Sequence, residues 1–131
     1  MKKYLLLLGC AFCLFGCSHL FVPCSYYREF AEKPIYFKFA KTELTPESKS
    51  ALDEGMVYFR NHRSKRIELD GHTDELGTAG FNMNLSRKRA EAVRDYLIEN
   101  GVAPKRIRID WHGVEKGKPY KDHRRVDVTL I

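Results

Sequence analysis

From Pro34 to the C-terminus the chain switches between two hydrophobic periods, and that switching leaves few folds open. A period of two puts alternate side chains on one face of a strand, and a period near 3.6 lines one face of a helix. Ile35-Tyr36-Phe37-Lys38-Phe39-Ala40 shows the first, with Ile35, Phe37 and Phe39 expected on one face. Thr45-Pro46-Glu47 reads as a helix start. The hydroxyl can accept from a free backbone N–H, proline fits the first helical position, and the acid meets the positive end of the dipole. Leu52, Met56 and Phe59 then recur at helical spacing, to about Asn61. Arg66 to Asp70 alternates and is predicted as a second strand. A polar, glycine-punctuated loop is expected from Gly71 to Gly80. The next helical run turns Leu85, Ala90, Val93 and Leu97 inward, with Asn82 or Asn84 as its expected cap and Gly101 as its stop. Arg106 to Trp111 alternates, with Ile107, Ile109 and Trp111 predicted inside, and Val126, Val128 and Leu130 alternate in the last strand. A lysine-rich loop, Gly113 to Asp122, lies between them.

The predicted order is β-α-β-α-β-β. Two amphipathic helices need one sheet face to cover, so the fold class is α/β (α+β), a two-layer sandwich over residues 34–131. Hydrophobic residues at 44% and charged residues at 31% suit such a domain and exclude wholesale disorder.

The N-terminus follows another logic. Met1-Lys2-Lys3 is basic and Tyr4 to Gly16 is nearly all apolar. That is the pattern of a secretory signal, and the run is too short to span a bilayer comfortably. It ends in Leu14-Phe15-Gly16-Cys17, which resembles a bacterial lipobox. The resemblance implies cleavage before Cys17 and lipidation of its thiol. Residues 1–16 are then a lipoprotein signal peptide and 17–33 a lipid-anchored tether of at most roughly 55–60 Å. All four cysteines, Cys10, Cys13, Cys17 and Cys24, precede the domain. Cys24 is left alone after processing, so no intramolecular disulfide framework is expected. Losing Lys2 and Lys3 lowers the net charge from +6 to +4. A mild positive excess suits an anionic envelope polymer or membrane surface. No nucleic-acid partner is expected, because base-reading and stacking motifs are missing from the pattern.

Gly71-His72-Thr73-Asp74-Glu75-Leu76-Gly77-Thr78, then Phe81-Asn82, then Leu85-Ser86-Arg87-Lys88-Arg89-Ala90, closely resemble the OmpA-like peptidoglycan-binding family. Arg124-Arg125-Val126 is similar to that family's closing motif. The resemblance covers residues 34–131 and is of the peptidoglycan-associated lipoprotein type. It implies non-covalent recognition of diaminopimelate in peptide stems by a protein held to the outer membrane through lipid on Cys17, its domain facing the periplasm. Such a ligand offers an ammonium and a carboxylate close together. Asp74 can accept from the ammonium and Arg89, one to two turns into the helix, can donate to the carboxylate. The family pattern also carries over Asn82 and Arg124, with Thr73 and Gly77 as loop residues that bond the ligand or let backbone approach it. Without the resemblance, Asp74 and Arg89 are equally a loop-closing salt bridge, Asn82 a helix cap and Arg124 a solvated cation. Lys38, Ala40, Leu76 and His123 depart from the family pattern; the first two are expected to weaken binding or change the preferred peptide.

Two other classes compete. An envelope hydrolase would use a metal at His72, with Asp74, His112 or His123 as partners, but no spacing of the HExxH kind supports it. Ser86 lacks a nucleophile-elbow pattern. No enzyme activity, cofactor or metal is therefore expected. The remaining alternative is a lipoprotein adaptor in an envelope or secretion complex, with envelope proteins as partners and the peptidoglycan groove vestigial.

Overall fold

The computed structural model describes residues 31–115 and 123–131. The predicted signal segment, Cys17, Cys24 and most of the tether lie outside them. The described elements run β1 (Ile35–Tyr36), α1 (Pro46–Asn61), β2 (Ile67–Thr73), α2 (Ala79–Glu99), a 3-10 turn (Pro104–Arg106), β3 (Ile107–Val114) and β4 (Arg125–Leu130). The strands form one sheet in the order β1-β4-β2-β3. β4 pairs antiparallel with β1 and β2, whereas β2 and β3 are parallel, joined by α2 as the crossover. Both helices contribute to one core, so the two-layer α/β arrangement holds.

That core follows from the two periods. Leu52, Met56 and Phe59 of α1 meet Val93 and Leu97 of α2 over Ile67, Leu69, Val126 and Val128 of the sheet. Each of these is at most 4% exposed. Fully burying one such side chain contributes roughly 1.5–3 kcal/mol. Ala31 joins the same cluster, so the chain just ahead of β1 also packs on the domain. Helix α1 is capped by Thr45, whose hydroxyl accepts from the Ser48 N–H at 3.2 Å. The Ser48 hydroxyl in turn donates to the Tyr36 carbonyl at 2.7 Å and ties the helix start to β1.

Four local expectations change. The first strand ends at Tyr36, not Ala40, because Ala40 takes φ +52 and turns the chain. Phe39 therefore does not share a face with Ile35 and Phe37, and is 55% exposed. β2 continues through Thr73, so Gly71, His72 and Thr73 are strand rather than loop. The cap of α2 is Thr78, which accepts from the Phe81 N–H at 3.2 Å; Asn82 and Asn84 lie inside the helix. Trp111 is only half-buried on β3, an edge strand, with the Arg87 guanidinium 5.2 Å above its ring.

The crossing of α2 over the sheet is set by Gly71. A Cβ there would lie 2.1 Å from the Ser86 carbonyl oxygen, so helix backbone rests directly on strand backbone. The fully buried Ser86 hydroxyl accepts from the Gly113 N–H at 3.1 Å and donates to the Met83 carbonyl at 2.9 Å. These contacts hold the first half of α2 against the ends of β2 and β3.

Candidate functional site

The loop after β2 and the start of α2 bring most of the expected residues together. Asp74 follows directly on the strand and is 3% exposed. Its Oδ1 accepts from the Leu76 N–H at 3.4 Å, a long bond that folds the loop back on itself. Its Oδ2 has no hydrogen-bond partner among the described residues and stands 3.6 Å from Arg124 Nη1. That separation is an ion pair beyond hydrogen-bonding range. Gly77, at φ +106, makes the turn into Thr78. A Cβ on Gly77 would approach the Phe81 ring at 3.1 Å and Asn82 Oδ1 at 3.5 Å, so a side chain there would press on the start of α2.

Arg89 occupies a different place from the one its spacing suggested. It lies three turns into α2, not one to two, and is fully buried. Its Nε donates to the Lys41 carbonyl at 3.0 Å, Nη1 to the His72 carbonyl at 3.1 Å and Nη2 to the Lys38 carbonyl at 3.3 Å. The guanidinium sits 5.3 Å above the Phe37 ring. The direct Asp74–Arg89 salt bridge is therefore not formed. Burial pushes the Arg89 pKa down to about 10, opposed by the Asp74 charge and reinforced by Arg124. The group stays charged at neutral pH. Three of its five N–H bonds are spent on backbone, which leaves one on each terminal nitrogen.

Several buried polar atoms here have no hydrogen-bond partner among the described residues. They are Thr73 Oγ1, Asp74 Oδ2, both amide atoms of Asn82, both ring nitrogens of His123 and Arg124 Nε. A buried polar group left unmet costs about 1–3 kcal/mol, so the Thr73, Asp74 and Asn82 atoms, close together along the β2–α2 junction, call for polar partners from outside the protein.

Asp127 and Glu115 were given no part in the sequence reading. Arg125, 5% exposed, donates to Asp127 at 2.7 Å and to Glu115 at 2.6 Å. His72 Nε2 lies 3.3 Å from Asp127 and Nδ1 3.8 Å from Glu115. His72 thus faces these two acids, and the ring of His112, one of the partners the hydrolase alternative named, stacks on it with centroids 5.4 Å apart. The available signal was the Arg125-x-Asp127 alternation, which puts both side chains on one sheet face. Burial raises the Asp127 pKa, but hydrogen bonds from His72 and Arg125 outweigh it and bring it to about 2. Among the described residues, the histidine–carboxylate group compact enough to hold an ion is Asp70, Asp110 and His112, without His72 or His123.

Residues 36–127 match the OmpA family. The chain belongs to the OmpA family. It is 39% identical over 84 residues to the peptidoglycan-associated lipoprotein of Pseudomonas aeruginosa, covering 63% of this chain and 48% of that protein. Against outer membrane protein A of Bordetella avium the identity is 37% over 103 residues, 73% of this chain and 53% of the other. The crystal structure of the peptidoglycan-associated lipoprotein from Burkholderia pseudomallei superposes with a TM-score of 0.71 at 30% identity, over 77% of this chain and 92% of that one. The chain spans about half the length of the curated relatives it matches. The match to the OmpA family takes in the whole β2–α2 site, from Thr73 to Arg89, and extends to Arg124.

Proposed function

We propose that this OmpA-family domain binds peptidoglycan without turnover. It recognises diaminopimelate in peptide stems, and lipid on Cys17 holds it to the periplasmic side of the outer membrane. The observation that carries the reading is the unmet Asp74 Oδ2, buried 3.6 Å from the Arg124 guanidinium and acting on the charge of Arg89, with the Thr73 and Asn82 side chains of the same strand–helix junction also unmet. Asp74 offers one carboxylate oxygen to an ammonium. The two remaining N–H groups of Arg89, together with Arg124, offer donors to a carboxylate next to that ammonium. Asn82 can both donate and accept, so it suits the peptide link between such groups. Family membership supports this reading, as does the lipobox that ends the N-terminal apolar run.

The test is sedimentation of the full chain, held in detergent, with purified diaminopimelate-containing sacculi. Wild type is expected to sediment. Asp74→Asn keeps the shape and the Leu76 contact but loses the charge, and is expected to remain in the supernatant with an unchanged circular dichroism spectrum. Folded wild type that stays in solution would overturn the binding reading. In cells, labelled palmitate is expected on the wild type and not on Cys17→Ala; equal labelling would sink the anchor.

A further inference from the structure

A cleft of about 320 Å³ opens between β1 and the first turn of α1, and Arg124 lines it together with Lys38, Thr45 and Ser48. Arg124 also stands 3.6 Å from Asp74, so this one side chain is shared by the cleft and the Asp74 loop. The charges do not balance. Asp74 carries one negative charge and faces Arg89 and Arg124. Arg89 is held by three neutral carbonyls, which satisfy its N–H groups without cancelling its charge. Lys38 adds a further cation on the cleft wall; it is exposed and has no ion-pair partner within 4 Å among the described residues. Glu47 is the acid on the same wall. Its carboxylate is stabilised by its own backbone N–H, then by Thr45 and to a smaller extent by Lys38, so it offsets one of the three cations. One net positive charge remains at the join of loop and cleft. The Arg124 Nε, unmet among the described residues, lies there too.

We infer that this cleft is a second half of the site and takes a further carboxylate of the same ligand between Lys38 and Arg124, so that the protein selects stem peptides with free carboxyl groups over amidated ones. The inference rests on the peptidoglycan reading above and adds the chemical form of the ligand. A diaminopimelate centre supplies an ammonium for Asp74 and a carboxylate for the Arg89 side. Its net charge is close to zero, which leaves the extra cation unanswered. A neighbouring free carboxylate answers it, and a carboxamide does not. Charge-assisted bonds are roughly twice as strong as neutral ones and lose that advantage when the acceptor becomes an amide. Lys38 presents its cation on a flexible stem, which suits a carboxylate whose position varies with the bound peptide.

The test is isothermal titration calorimetry of the detergent-held full chain with three soluble L-Ala-D-Glu-diaminopimelate tripeptides. One has all carboxyls free, one is amidated at glutamate and one is amidated at diaminopimelate. Wild type is expected to bind the free form about tenfold more tightly than at least one amidated form, the gap expected from losing a charged bond. Lys38→Gln is expected to erase that gap while still binding the peptides, and the form whose penalty disappears identifies the carboxyl held. Equal affinities for all three peptides in wild type, or an unchanged gap in Lys38→Gln, would overturn the inference while leaving the peptidoglycan reading standing. Wild type that binds none of the three would overturn both.

Discussion

Arg89 decides how the site can be interrogated. Its planar fork reaches carbonyls at Lys38, Lys41 and His72 at once, so it ties the turn after β1 to the end of β2. A lysine has its donors on one nitrogen and cannot span three carbonyls set around a plane. Arg89→Lys is expected to cost about 3 kcal/mol, because buried carbonyls lose charged partners. Urea unfolding followed by circular dichroism checks this; a loss below about 1 kcal/mol would show that the fork is not structural. Loss of binding in Arg89 variants therefore mixes fold with contact, whereas Asp74→Asn separates them. The sequence motif named both residues. It could not show that Asp74 keeps one carboxylate oxygen unmet while Arg89 is buried against backbone, because the three carbonyls that hold Arg89 lie 17 to 51 residues away along the chain.

At the scale of elements, the helix–sheet contact at Gly71 is the tightest constraint. Gly71→Ala would force its Cβ against the Ser86 carbonyl, which is backbone and cannot swing aside. The helix must lift, and overpacking of this kind costs typically about 1–3 kcal/mol, here at the upper end. Thermal unfolding is the measurement, and a variant as stable as wild type would refute backbone-on-backbone packing at this point. The same lifting would move Asn82 and Arg89 relative to Asp74, so the expected loss of sacculus binding should exceed the fraction unfolded. Apolar periodicity made both helices legible, and Thr45-Pro46-Glu47 fixed the start of α1. The start of α2 was misread because Asn82 and Asn84 are good capping residues by type. Thr78 wins because the positive φ of Gly77 turns the chain there, while Asn82 is drawn inside, 1% exposed.

At the scale of the molecule, Asp127 links the sheet face to His72 and Arg125. Its folded pKa of about 2 lies below the ordinary 3.8. The carboxylate thus contributes stability that is complete above pH 3.8 and is lost as pH falls through about 2. The sign follows from the unfolded chain binding the proton first. Urea midpoints should fall between pH 4 and pH 2 in the wild type, and Asp127→Asn should fall less steeply over that window while starting lower. Parallel slopes in the two proteins would remove Asp127 from the acid response. A bound ligand adds stability by mass action, so on the peptidoglycan reading the free-carboxyl tripeptide should raise the midpoint at neutral pH with the logarithm of its concentration once that exceeds Kd.

The sequence by itself determined the element order, the two-layer architecture and most of the core, because hydrophobic period is a local property and burial of one face follows from it. It also named the site motif from Gly71 to Arg89, whose members lie close along the chain. Only the tertiary structure decided where each member sits and what it bonds to. The Arg89 clasp, the Asp74–Arg124 approach and the cleft beside Lys38 each join segments brought together by the order β1-β4-β2-β3. Long-range electrostatics and close backbone packing depend on that juxtaposition, and no spacing along the chain encodes it.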